Sequence, residues 1–282
     1  KAHSKFMTMK LHAYCINLAS DKLRKSHCEQ EYAKTNMSFE FIEAVDGREQ
    51  NIEPEAANSQ EQQTRWDNID STALSIGFFN RGTNSAERAC AQSHAMAWKK
   101  ISEAPDEEQE VYFMVNEDDF NVLSTDGLNE ALDEATRLDF DMIYLGYRGG
   151  DYQKRTLKES LQQVWHRIKW HLSDKSDIAK FRKNLVLLGK ARVHPKSHHY
   201  YHSGMTWGGH AYLLNREGAR KLLSYNENLR FLPDEAFRYA ILDGNFSAGL
   251  SKVKFFGCDT KFGSALRDEN DHAEHHRIYP TN

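Results

Sequence analysis

Short, nearly unbroken apolar runs alternate with amphipathic stretches along this chain, and polar turn residues separate them. That alternation predicts an α/β domain built on a mostly parallel central sheet. The clearest run is Val111-Tyr112-Phe113-Met114-Val115, rich in β-branched and aromatic residues and preceded by the polar Glu107-Glu108-Gln109-Glu110. A strand covered on both faces reads this way. Residues 12–18 and 39–45 read as two more strands, joined by a helix that Ser20 or Asp21 caps and that runs to about Thr35. Ser85 predicts the cap of a helix over 86–101, with Cys90, His94, Ala97 and Trp98 at helical spacing. An amphipathic helix is expected over 125–138, a strand over 140–145 ending in Gly146, and a strand over 207–214. Asn215 caps a helix through Leu223, and Pro233 sits in the first turn of another that opens Leu232-Pro233-Asp234-Glu235. A last short strand is expected over 252–256.

Two stretches break the alternation. Residues 48–80 are rich in Gln, Asn and Glu, with Trp66, Leu74, Ile76, Phe78 and Phe79 arriving late. A loop that long in a compact domain is usually functional, and it is read here as a flexible flap over the site. Residues 151–203 hold twelve Lys or Arg against four acids, on a chain whose net charge is −4. Leu157, Leu161, Val164, Trp165, Ile168 and Leu172 keep a three-four spacing there, which predicts a basic helical insertion, with a second helix over 177–187 and a loop rich in His and Tyr over 194–202. Such a segment has three readings: contact with an anionic membrane, binding of an anionic glycan, or a solvated cover salt-bridged to the acidic body. No recognition motif accompanies the charge, so a nucleic-acid partner is not expected. Cys15, Cys28, Cys90 and Cys258 lack CxxC spacing, which predicts free thiols in a reducing cytosol.

The chemistry is concentrated where the central strand ends. Glu117-Asp118-Asp119 follows the apolar run directly, and ligands of open α/β sheets bind beyond the carboxyl ends of strands. Three adjacent acids repel one another unless a cation or substrate balances them. Glu117 and Asp119, at i and i+2 around a tight exit, can both address one hard metal ion; the plainer reading is an acidic helix cap or solvated loop.

Seven segments in order then resemble glycosyltransferase family 25: Ile16-Asn17-Leu18 with Arg24; Ala44-Val45-Asp46-Gly47; Glu87-Arg88-Ala89-Cys90 with Ser93-His94; Glu117-Asp118-Asp119; Asp141-Met142-Ile143-Tyr144-Leu145-Gly146; Ala211-Tyr212 with Gly218-Ala219; and Pro233-Asp234-Glu235. The resemblance covers roughly 12–240. It departs at Ala86-Glu87-Arg88-Ala89-Cys90, where the family usually shows Gly-Glu-Ile-Gly-Cys, so two glycines that allow close backbone approach are missing.

The resemblance implies one GT-A type, Rossmann-like domain over 7–282 that moves a hexose, galactose or glucose, from a UDP-sugar to a glycan, glycolipid or glycoprotein, with inversion. It implies Mn²⁺ or Mg²⁺ held by Asp119 and Glu117, with Asp118 as an alternative ligand, and Asp234 or Glu235 as the base. It further implies donor contacts from Asn17, Leu18, Arg24, Asp46, Glu87, His94, Glu117 and Asp118. Each has a plainer reading: Arg24 as a solvated helix charge, His94 as a hydrogen-bonded core residue, Asp234 and Glu235 as dipole-stabilising helix starters. His210 can line the acceptor side, and the clusters His198, His199, His202 and His272, His275, His276 are candidate ligands or simply exposed. Two rivals remain: a donor-binding protein without turnover on the same fold, and a metal-dependent phosphohydrolase.

Overall fold

A computed structural model describes residues 11–262 other than 36, 51, 53–55, 76–82, 106–110, 150–151 and 230, with scattered positions only between 152 and 176. The chain opens as expected, with strand β1 (His12–Asn17), helix α1 (Lys22–Tyr32) and strand β2 (Ser38–Glu43) forming a parallel β-α-β unit. Asp21, not Ser20, caps α1, its carboxylate accepting from the Arg24 N–H at 3.0 Å. Within the polar stretch 48–80 the chain forms helix α2 (Gln60–Ser75). Trp66 is buried there and donates its indole N–H to Glu227.

Helix α3 (Ser85–Ser102) starts one residue earlier than expected. Asn84 is the cap, and it closes a capping box with Glu87. Ser85 instead accepts from the Ile52 N–H and donates to the Gln50 carbonyl, tying the incoming loop to the helix. Strand β3 (Phe113–Glu117) runs into the acids, so Glu117 is its last residue and pairs with Ile16 of β1. Strand β4 (Phe120–Val122) follows one turn later, then helix α4 (Leu128–Ala135), shorter than expected at both ends, and strand β5 (Met142–Arg148).

Helix α5 (Asp177–Leu188) lies in the basic stretch. A short strand β6 (Arg192–Val193) precedes the segment expected as a loop, and that segment ends in another, β7 (Tyr200–His202). Strand β8 (Trp207–Leu214) and helix α6 (Arg216–Tyr225), capped by Asn215, match the pattern, as does helix α7 (Pro233–Asp243). The last expected strand is two: β9 (Ala248–Ser251) and β10 (Phe256–Cys258), with Lys252 in the turn between them.

The large sheet has the order β2-β1-β3-β8-β5-β9-β7-β6. Strands β2, β1, β3, β5, β9 and β6 share one direction, while β8 and β7 run against it. Alternate residues feed two cores. Tyr14, Ile16, Phe113, Val115 and Tyr144 pack under α3, α5, α6 and α7; Ala13, Cys15, Met114, Ile143 and Leu145 pack under α1 and α4. Burial on both faces is why these strands read as unbroken apolar runs.

Candidate active site

The carboxyl ends of β1 and β3 lie side by side, and the turn after β3 presents three carboxylates in three environments. Asp118 is bound to the protein on both oxygens: Arg24 donates to Oδ1 at 2.6 Å and Asn17 donates to Oδ2 at 2.9 Å. Arg24 also donates to the Phe262 carbonyl at 3.1 Å and lies over the Phe262 ring. These contacts make Asp118 a fastener between β1, α1 and the turn. Leu18 supplies the carbonyl that accepts from the Asp21 N–H, fixing the exit of β1.

Asp119 is held differently. Its backbone carbonyl accepts from the Asp259 N–H, and Oδ2 accepts from the Cys258 thiol at 3.0 Å. Oδ1 is buried with no hydrogen-bond partner among the described residues. Burial pushes its carboxyl up to about 6, with the charge of Glu117 adding to the effect and the Cys258 hydrogen bond opposing it. A buried carboxylate oxygen without a donor is what a hard cation or a protonated ligand group satisfies.

Glu117 is ringed by protein yet its side chain stays 37% accessible, so it lines an open crevice. Burial alone raises its carboxyl, but the close approach of His94, then His210 and Arg148, outweighs this and holds it below the ordinary value. His94 is 1% exposed in its side chain and reaches Glu117 with Nε2 at 3.5 Å. Its Nδ1 meets the Tyr212 hydroxyl at 3.0 Å, and that hydroxyl accepts from Trp98 Nε1 at 2.8 Å. The indole can only donate, so the phenol gives its own proton to Nδ1. His94 then carries its hydrogen on Nε2, facing the carboxylate. A chain of buried groups from α3 and β8 thus orients Glu117.

Two acids arrive from α7. Burial raises the carboxyl of Asp234, Arg238 opposes this, the charge of Glu117 raises it further, and the backbone of Gly208 and Glu235 lowers it. Glu235 folds back to the Leu232 N–H at 3.3 Å, closing the helix start, and burial with the neighbouring Asp234 lifts it to about 7. Asp234 is thus the one of the pair that feels the charge of Glu117 directly. Cys90 of α3 lies among these acids, its thiol pushed up by burial and then by Glu117, Asp234, Glu87 and Asp118.

Of the residues singled out from sequence, Asn17 and Arg24 are bonded to Asp118, His94 reaches Glu117, Asp119 and Asp234 lie in the field of Glu117, and Glu235 lies in that of Asp234. Glu87 is buried in the capping box of α3, and Asp46 is paired with Arg48 through both oxygens, which holds it at about 2. Gly47 packs against the start of α3: a Cβ there would lie 2.6 Å from Ala86 Cα. The close backbone approach that Ala86 and Ala89 put in question is thus provided from the other side. Of the histidine clusters, His202 packs on His194, the backbone of His198 and His199 donates to Glu134, and 272–276 lie outside the described residues. His210 is buried beside Gly146, with Nε2 unpartnered.

Sequence reasoning missed Cys258 and Arg148. Arg148 donates to the Cys258 sulfur at 2.9 Å and reaches the field of Glu117. Its position at the carboxyl end of a predicted strand was the available signal.

A family model described as glycosyltransferase family 25 (LPS biosynthesis protein) matches residues 10–237. Comparison with curated proteins finds no match. The family match runs from the first strand into α7 and takes in the crevice residues from Asn17 to Asp234 and Glu235. The chain belongs to glycosyltransferase family 25 and is a glycosyltransferase, acting on a sugar donor and a glycan acceptor.

Proposed function

We propose that the protein transfers a hexose, galactose or glucose, from a UDP-sugar to a hydroxyl of a lipopolysaccharide-type glycan, or of a related glycolipid or glycoprotein. The transfer inverts the anomeric carbon and uses Mn²⁺ or Mg²⁺. The observation that carries this reading is the convergence of Glu117, Asp119 and Asp234 on one crevice, with Asp119 Oδ1 buried and unpartnered.

Among the described residues no group of three or more His, Cys, Asp and Glu is arranged to hold a metal. A site completed by substrate phosphates needs only one or two carboxylates, and Asp119 with Glu117 fits that pattern. The ion, when bound, supplies positive charge against the diphosphate as it departs. The chain's own residues do the rest. Asn17 and Arg24 fix Asp118 and so the turn that presents Asp119. His94 keeps Glu117 ionised and aimed. Asp234, raised by burial and by the charge of Glu117, takes the proton of the acceptor hydroxyl as its oxygen bonds to the anomeric carbon and UDP leaves.

The test is UDP release from UDP-galactose and UDP-glucose with Mn²⁺. Asp234→Asn is expected to lower turnover about 10²–10⁴-fold with donor binding retained. No release from either donor by folded protein overturns the reading. Release of inorganic phosphate from simple phosphoesters supports the phosphohydrolase instead.

We also propose that the basic stretch meets the anionic inner face of a membrane. No helix among the described residues is long and apolar enough to cross one. Leu161, Val164 and Trp165, at helical spacing, are 62%, 54% and 63% exposed. Apolar side chains set among Lys and Arg suit shallow insertion beside anionic headgroups. Sedimentation with phosphatidylglycerol vesicles, reduced in Trp165→Ser, is expected; equal binding to phosphatidylcholine vesicles contradicts it.

A further inference from the structure

Trp207 opens β8, and α7 packs against it. Asp234 and Arg238 are four residues apart on α7, hence on one helix face. The backbone of Gly208, the residue after Trp207, lies close enough to Asp234 to lower its carboxyl. The Arg238 guanidinium lies 3.7 Å from the centroid of the Trp207 ring. One turn of helix therefore brings the carboxylate near Gly208 and sets the indole plane. Arg238 is buried, whereas Trp207 keeps part of its surface accessible.

The neighbouring positions keep this corner narrow in side chains. Gly208 has φ +89°, and a Cβ there would approach Arg148 N and His210 at 3.1 Å. A Cβ on Gly209 would meet Phe237 at 3.1 Å and Glu117 Oε1 at 3.8 Å. Gly149 follows the end of β5, with its Cβ position 3.9 Å from Trp207 Cδ1. Glycines at 149, 208 and 209 thus flank the indole without adding side chains of their own.

We propose that Trp207 is the platform for the acceptor sugar, taking the C–H face of a pyranose ring against its indole and directing a ring hydroxyl to Asp234. This rests on the transferase reading above. An indole presents a flat, electron-rich face to weakly positive C–H groups, and a guanidinium stacked behind it holds that plane without blocking the front. The platform sets which face of the acceptor is presented, and so contributes to linkage specificity.

The test is saturation-transfer NMR on the full chain with UDP present. Methyl β-galactoside, methyl β-glucoside and methyl N-acetyl-β-glucosaminide serve as probes. Wild type is expected to saturate the ring C–H protons of at least one probe. Trp207→Phe keeps an aromatic face and retains that signal; Trp207→Leu keeps an apolar side chain without one and loses it about fivefold. The UDP-induced rise in Tm, measured on every variant, reports that the donor side is folded and intact. Absence of saturation with all probes in wild type, or an unchanged signal in Trp207→Leu, overturns the platform. Saturation that depends on Trp207 without any UDP shift in wild type supports the platform and overturns the donor reading alone.

Discussion

Asp118 and Asp119 are neighbours with opposite tasks, and hydrogen bonding alone separates them. Asp118 spends both oxygens on Arg24 and Asn17; Asp119 keeps one buried oxygen without a partner. The sequence marks the acid run but not this division, because the partners come from β1, α1 and β10. His94 poses the same problem: helical spacing allows a core histidine or a site histidine, and the structure buries it against Tyr212 with Nε2 3.5 Å from Glu117. Tyr212→Phe tests its orientation. The change strands Trp98 N–H and His94 Nδ1, at a cost of about 1–3 kcal/mol. We expect a lower Tm together with weaker turnover; full turnover contradicts the orienting role. Glu235 gives a pH prediction. Its carboxyl is raised to about 7, so the folded chain keeps a proton that the unfolded chain has lost. Its contribution to stability is complete below the ordinary carboxylate range and is lost as pH rises through about 7. Melting curves from about pH 5 to 8 should fall less steeply in Glu235→Gln than in wild type. Parallel curves contradict the assignment.

At the scale of elements, the site depends on how α3 starts. Glu87, Cys90 and His94 ride on that helix, and its first turn is fixed by the Asn84–Glu87 capping box and by Gly47 packed on Ser85 and Ala86. Asn84→Ala removes the cap and should cost about 1 kcal/mol, a drop of about 2–4 °C in Tm, with turnover little changed. Gly47→Ala places a Cβ 2.6 Å from Ala86 Cα, so the helix start must move. It should cost about 1–3 kcal/mol and reduce turnover more than Asn84→Ala does. Equal effects would show that the position of the helix start is not critical. Elements with strong apolar periodicity were legible from sequence: β1, β3, β8, α6 and α7 fall where the pattern puts them. Helix α2 was not, because most of its sequence is polar and its described apolar contacts with the core come from Trp66 and Ile69 alone. Strands β6 and β7 were missed because two- and three-residue strands carry no periodicity.

At the scale of the whole molecule, the crevice is assembled from distant pieces. Cys258 meets Asp119 across 139 residues, and Phe262 meets Arg24 across 238. No local pattern predicts such contacts. Some of the ordered family segments do lie at strand exits or helix starts, Asn17, Glu117 and Pro233-Asp234 among them. The antiparallel insertion of β8 between β3 and β5 carries Tyr212, Gly208 and Trp207 past that edge, and it was not visible in a chain of apolar runs.

The central claim is a nucleotide-sugar site completed by a metal at Asp119. It is tested most directly by thermal unfolding with UDP-galactose, UDP-glucose, GDP-mannose and CMP-sialic acid, each with and without Mn²⁺, on wild type and Asp119→Ala. A ligand that binds only the folded chain stabilises it by mass action, about 2.7 kcal/mol at a hundred times its Kd, which for this size is a rise of about 5 °C or more. We predict such a rise with a UDP-sugar, dependent on Mn²⁺ and lost in Asp119→Ala. A folded wild-type protein with no Mn²⁺-dependent shift for any UDP-sugar, or an equal shift in Asp119→Ala, contradicts it.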